Sequence, residues 1–153
     1  MGLIVQKFGG TSVGDADRIH RAARRAIRAK LEGHRVVMVV SAMSDTTDRL
    51  VDLAYQVTDR PSRREMDQLL STGEQVSIAL SAMAIHHAGH DAISLTGGQI
   101  GLRTDQVYGR ARIREITELG RIRKLLDDGK IVIVAGFQGV DPDFNVTDRK
   151  SVV

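Results

Sequence analysis

An α/β fold of three layers, α/β/α, around a mainly parallel sheet is what this sequence predicts, and three observations lead there. Four short runs, Leu3 to Phe8, Val36 to Val40, Ala92 to Leu95 and Ile131 to Val134, are apolar and rich in β-branched residues, the mark of strands buried on both faces. Stretches of helical period separate them, and strands that alternate with helices pair in parallel with helices covering both sides. The length, 153 residues of which 42% are hydrophobic, suits one domain or part of a larger one. Such a chain can bury about 68–70% of the surface its unfolded form exposes.

The strand Leu3 to Phe8 runs into Gly9-Gly10-Thr11-Ser12 and then into a helix that puts Ile19, Ala23, Ala26, Ile27 and Leu31 on one face and stops at Gly33. Arg18, Arg21, Arg25 and Arg28 recur on another face at spacings of three and four. With aromatics at only 3% of the chain, this row reads as a solvated face before it reads as a nucleic-acid patch. After the second strand, Asp45 or Thr46 is placed to cap a helix with Leu50, Leu53, Ala54 and Val57 inward, ending before Pro61. Ser62 and Glu65 then spell a capping box. The third helix carries Met66, Leu69, Leu70, Gly73, Val76, Ser77, Leu80 and Ala84 inward until Gly89. Glu74 projects along or beside that stripe, next to a glycine that costs about 1 kcal/mol in a helix interior. A carboxylate so placed needs a partner. Beyond Leu95, the segments Ile100 to Thr104 and Val107 to Ile116 are either an antiparallel ribbon or loops. Arg121 to Asp128 is a short helix, stopped at Gly129, that feeds the last strand. Met38, Met43, Met66 and Met83 read as core filler.

Composition narrows the function classes. Lys and Arg number 22 against 19 Asp and Glu, a formal charge of +3 that is too small to argue for nucleic acid. The absence of Cys removes disulfide scaffolds, thiolate metal sites and thiol nucleophiles, and fits a reducing compartment. Leu3 to Val5 is broken at once by Gln6 and Lys7, so neither a signal peptide nor a membrane span is expected, and the chain reads as a soluble cytoplasmic protein with no membrane or nucleic-acid partner. His86, His87 and His90 cluster where a helix ends, without a carboxylate in an H-E-x-x-H arrangement, and are not expected to hold a metal. No G-x-S-x-G elbow is present.

Two turns carry the candidate chemistry. In Lys7-Phe8-Gly9-Gly10-Thr11-Ser12, two glycines let backbone amides approach a ligand, the following helix start offers N–H groups, and Lys7 adds a point charge. The turn is a phosphate cradle or a plain tight connection; it matches neither a Walker A loop nor G-x-G-x-x-G. In Ser41-Ala42-Met43-Ser44-Asp45-Thr46-Thr47-Asp48, small hydroxylated residues at a strand end hold an anion or cap the helix. Both turns open on the same edge of a parallel sheet. Convergence of Lys7, Ser41, Thr47 and Glu74 there would give the cationic, hydroxyl and anionic contacts that an amino acid and a nucleotide together need.

KFGGTSV at 7–13, VVSAMSDTTDRL at 39–50, LLSTGEQVS at 69–77 and KIVIVAGFQGV at 130–140 together resemble the aspartate kinases of the amino acid kinase family. The resemblance covers residues 1–147. It implies transfer of the ATP γ-phosphoryl group to the β-carboxylate of L-aspartate, an entry to lysine, threonine and methionine synthesis, with MgATP as substrate and no tightly bound cofactor. It assigns catalysis to Lys7 and nucleotide-side contacts to Lys7, Phe8, Gly9, Gly10 and Ser41. Ser12, Thr47 and Glu74 fall to the aspartate, with Glu74 facing its ammonium group. The family continues into a nucleotide-binding half and regulatory ACT domains that this sequence lacks, so the chain is expected to be inactive alone, and a full-length form to be a homo-oligomer. Residues 148–153, DRKSVV, depart from the family and match what a short-read sequencing adapter encodes in one frame. A chain ending there is expected to leave Ile131 to Val134 as an exposed, self-associating edge. The alternatives are another amino acid kinase, or a short non-catalytic module of the same fold that binds a ligand or a subunit.

Overall fold

The computed structural model describes residues 2–149, so residues 150–153 of the tail lie outside the described residues. The strands are β1 (Leu3–Phe8), β2 (Arg35–Val40), β3 (Ala92–Leu95), β4 (Leu102–Thr104), β5 (Ile113–Ile116), β6 (Ile131–Ala135), β7 (Gln138–Val140) and β8 (Val146–Asp148). The helices are α1 (Ala16–Leu31), α2 (Thr46–Val57), α3 (Arg63–His87) and α4 (Leu119–Asp127), with a 3-10 turn over Gly10–Val13.

All four expected strands form, and they pair in parallel in the order β1-β2-β6-β3. Alternation along the central strands serves both faces. Met38, Val40, Ile131 and Ile133 join α1 and α3 in one core, while Val132, Val134 and Leu95 meet Leu126 of α4 in the other. This is the expected three-layer architecture.

Two expectations about burial fail, for one topological reason. Ile131 to Val134 is not an edge, because β6 inserts between β2 and β3 and is buried along its whole length. The edges are β1 and β3, and in β1 the alternate residues Leu3 and Val5 are 52% and 61% exposed instead of buried on both faces. A strand paired on one side, with a helix over one face only, buries half its side chains.

Helix boundaries hold better than helix faces. Gly33 and Gly89, at φ +93° and +84°, end α1 and α3 with paired amide bonds to the preceding turn, as left-handed C-terminal caps do. The capping box does not form: Ser62 precedes α3 without a side-chain cap bond, and Glu65 pairs with Arg64 at 2.6 Å. In α2 no residue is fully buried, and Leu53 and Val57 are exposed where an inward face was expected. Leu31, Val76, Leu80 and Met83 are likewise exposed, since α1 and α3 meet the sheet along neighbouring stripes. On α3 that stripe runs through Leu70, Glu74, Ser77, Ile78 and Ile85.

The unplaced segments build a second sheet, β5-β4-β7-β8, in which β4 and β5 are the antiparallel ribbon and β7 and β8 were not foreseen. Its junction with α3 is polar. Buried Asp67 accepts backbone N–H groups of Gly109 and Asp148 at 3.0 and 2.9 Å. Asp141 accepts from the amides of Asp143 and Asn145, the Tyr108 hydroxyl and the Asn145 side chain, all within 3.1 Å. Burial pushes the Asp67 carboxyl above its ordinary value, over the opposing pull of its two backbone donors. At Asp141 burial also acts upward, but the surrounding donors outweigh it and hold the carboxyl below its ordinary value.

Candidate active site

The carboxyl ends of three strands fall in register, with Phe8 opposite Val40 and Val40 opposite Ala135, so the segments that follow them emerge along one edge. Backbone bonds fasten these segments together. Ser41 donates to the Phe8 carbonyl at 3.1 Å, Ser44 to Gly10 at 3.1 Å and Gly136 to Val40 at 3.0 Å. Close approach explains two glycines. A Cβ on Gly10 would stand 2.8 Å from the Ala42 oxygen, and one on Gly73 would stand 2.9 Å from the Ala42 Cβ. Gly73 costs α3 helical propensity and in return lets the helix lie against the second turn, bringing Glu74 to the site edge.

Lys7 ends β1 with its ammonium 4.7 Å from the centroid of the Phe137 ring, within cation–π range. Phe137 takes φ +60°, a strained value for an aromatic residue, in the turn between β6 and β7. The next residue faces the other way. Gln138 donates its amide to the Ser71 carbonyl at 3.1 Å and to Glu74 Oε2 at 3.5 Å, and Glu74 is fully buried. One turn therefore fixes both the lysine and the carboxylate. Ser41 and Thr47 are half-buried in the second turn and the first turn of α2.

Not every expectation about the first turn survives. A 3-10 turn follows the glycines, and α1 begins only at Ala16, where Asp15 accepts the Arg18 amide at 2.8 Å. The start of α1 thus carries a carboxylate of its own, and the turn's amides and Lys7 stand apart from it. Ser12 is exposed and, with Phe8 and Thr11, borders an open cavity of about 610 Å³ over the arginines of α1. Sequence reasoning missed Phe137 and Gln138. Their signal was a Gly-x-x-Gly pair directly after a buried strand, where alternation sends consecutive side chains to opposite sides.

Among the described residues, no group of three or more His, Asp or Glu side chains stands close enough to hold a metal ion, and no helix is long and apolar enough to cross a membrane.

A parallel sheet covered on both faces, with a lysine, a glycine turn, a hydroxylated turn and a buried carboxylate gathered at its strand ends, is the architecture of a small-molecule kinase. The chain belongs to the amino acid kinase family, whose sequence model matches residues 2–151. It is 58% identical over 147 residues to an aspartokinase of Geobacillus stearothermophilus and 56% identical over 147 residues to aspartokinase 2 of Bacillus subtilis (strain 168). Each match takes in 96% of this chain and 36% of the relative, so the chain spans about a third of the length of these relatives. Among solved structures, the aspartate kinase from Synechocystis superposes with a TM-score of 0.80 at 48% identity, over 95% of this chain and 23% of that one. Aspartokinase III of E. coli, in complex with aspartate and ADP, also gives 0.80, at 24% identity over 95% of this chain and 43% of that one, a likeness of fold.

Proposed function

We propose that this chain supplies the phosphoryl-side and amino-acid-side contacts of a cytoplasmic aspartate kinase, with L-aspartate and MgATP as substrates. The observation that carries the reading is that the 136–138 turn holds Lys7 against Phe137 and buried Glu74 against Gln138, while Gly10 and Gly73 close on Ala42, next to Ser41. The similarity to aspartokinases supports it.

In the proposed reaction a β-carboxylate oxygen of aspartate attacks the γ-phosphorus, the bond to the β,γ-bridging oxygen breaks, and ADP leaves. Lys7 offsets negative charge on the moving phosphoryl group, while backbone amides of Phe8, Gly9 and Gly10 and the Ser41 hydroxyl position phosphate oxygens. Thr47 and Ser12 contact the amino acid. Glu74 receives its ammonium group, which replaces the Gln138 amide at Oε2, a charged donor in place of a long neutral one. A full-length kinase carrying these contacts works as a homo-oligomer.

The test joins residues 2–147 of this chain to the remaining portion of the Geobacillus stearothermophilus aspartokinase and traps acyl phosphate with hydroxylamine. L-Aspartate should be turned over in preference to glutamate and acetylglutamate. Lys7→Ala should lower kcat about 10²-fold or more with little change in the KM for aspartate, and Glu74→Gln should mainly raise that KM. Preference for another acid, or a Lys7→Ala enzyme altered only in KM, would overturn the assignment.

A further inference from the structure

The arginine row of α1 lines the cavity beside the first turn. Arg18, Arg21, Arg24, Arg25 and Arg28 all border it, and no carboxylate does. Arg18 is already engaged, donating to the Thr11 carbonyl at 2.6 Å with its Nε 3.5 Å from Asp15. The other four make neither an ion pair nor a side-chain hydrogen bond among the described residues. Standing three and four positions apart on one helix, they are neighbours that repel one another. Four uncompensated charges converging on one concavity focus a positive field there.

The shape of the row selects its ligand. From Arg18 to Arg28 it runs about 15 Å along the helix, so a single carboxylate meets only part of it, whereas a chain of phosphoryl groups meets it throughout. Guanidinium forks match phosphoryl oxygens in pairs, and the hydroxyls of Thr11 and Ser12 close one end. The aromatic residue at the cavity, Phe8, is 6% exposed, so nucleic-acid bases would find no ring to stack on. We propose that this groove binds a short linear polyphosphate, whether inorganic or the phosphate tail of a nucleotide. The groove meets the candidate active site at Ser12, but its arginines lie on the other face of β1 from Lys7. Phe8 packs toward α1, and Lys7, its neighbour on β1, points to the opposite face, over Phe137.

Calorimetric titration of inorganic tripolyphosphate into the intact chain tests the proposal. Arg21→Gln/Arg25→Gln should weaken binding at least about tenfold and leave the melting temperature unchanged or raised, because repulsion is relieved. Arg60→Gln/Arg123→Gln, which removes the same charge elsewhere, and Lys7→Ala should each change affinity less than about threefold. Parallel titration with ATP, counting only the binding that Arg21→Gln/Arg25→Gln removes, separates the sources: equal affinity assigns the phosphate chain alone, and tighter binding of ATP assigns the nucleotide. Undetectable binding, or equal weakening by the control pair, overturns the groove. Loss of binding in Lys7→Ala with retention in Arg21→Gln/Arg25→Gln overturns it as well and leaves the phosphates at the glycine turn, so the two sites stand or fall separately.

Discussion

Asp67 and Asp141, both buried where the second sheet meets α3, are pushed in opposite directions and so respond oppositely to pH. The Asp141 carboxyl is held below 3.8, its ordinary value, so it contributes stability that is present above that value and lost as pH falls through the folded value. Asp67 is raised above 3.8, so the folded state favours its protonated form, and stability falls as pH rises past that value. Thermal denaturation against pH should show Asp141→Asn less stable than the parent at pH 7, with a shallower loss in acid. Asp67→Asn keeps an oxygen for the Gly109 and Asp148 amides and should be as stable or more stable at pH 7. At this scale Lys7 and Glu74 were legible because their chemistry is out of place: a charge at the end of a buried strand, a carboxylate beside a helical glycine. Asp67, Asp141 and Gln138 were not. Asp67 and Gln138 take partners 42 to 81 positions away, which no local pattern encodes, and Asp141 adds to its own turn the Tyr108 hydroxyl from 33 positions away.

The helices separate what a cap sequence says from what a cap does. Asp15 accepts the Arg18 amide at 2.8 Å, whereas Ser62, in the better motif, makes no cap bond. Asp15→Ala should therefore cost about 1 kcal/mol in urea denaturation, and Ser62→Ala less than about half of that. Equal losses would mean that Ser62 caps α3 in solution. Boundaries were readable because glycine punctuation is local: Gly33, Gly89 and Gly129 all take the left-handed conformation that ends a helix. Faces were less readable. A hydrophobic stripe gives a direction of burial only if a neighbour lies that way, and α2 has one side against α3 and little over Leu53 or Val57.

At the scale of the molecule, the parallel α/β class followed from four apolar runs, while strand order did not, because β-branched composition is the same at a centre and at an edge. β6 proves central and β1 peripheral, with Leu3 and Val5 open to solvent beside an unpaired strand edge. Self-association is thus expected from β1. Val5→Lys should lower concentration-dependent association in sedimentation velocity at little cost in stability, since a charge on an edge strand blocks pairing. An unchanged profile would move the adhesive surface to the exposed apolar residues of α2 and α3. Central placement of β6 also sets a timetable for a ribosome. β2 and β3 are joined only through β6, so nothing links them in the sheet until the chain has been extended from Leu95 to Ala135. At ~5–20 residues per second, the nascent chain spends about 2–8 s with both strands made and the slot between them empty, the interval in which a chaperone has most to shield.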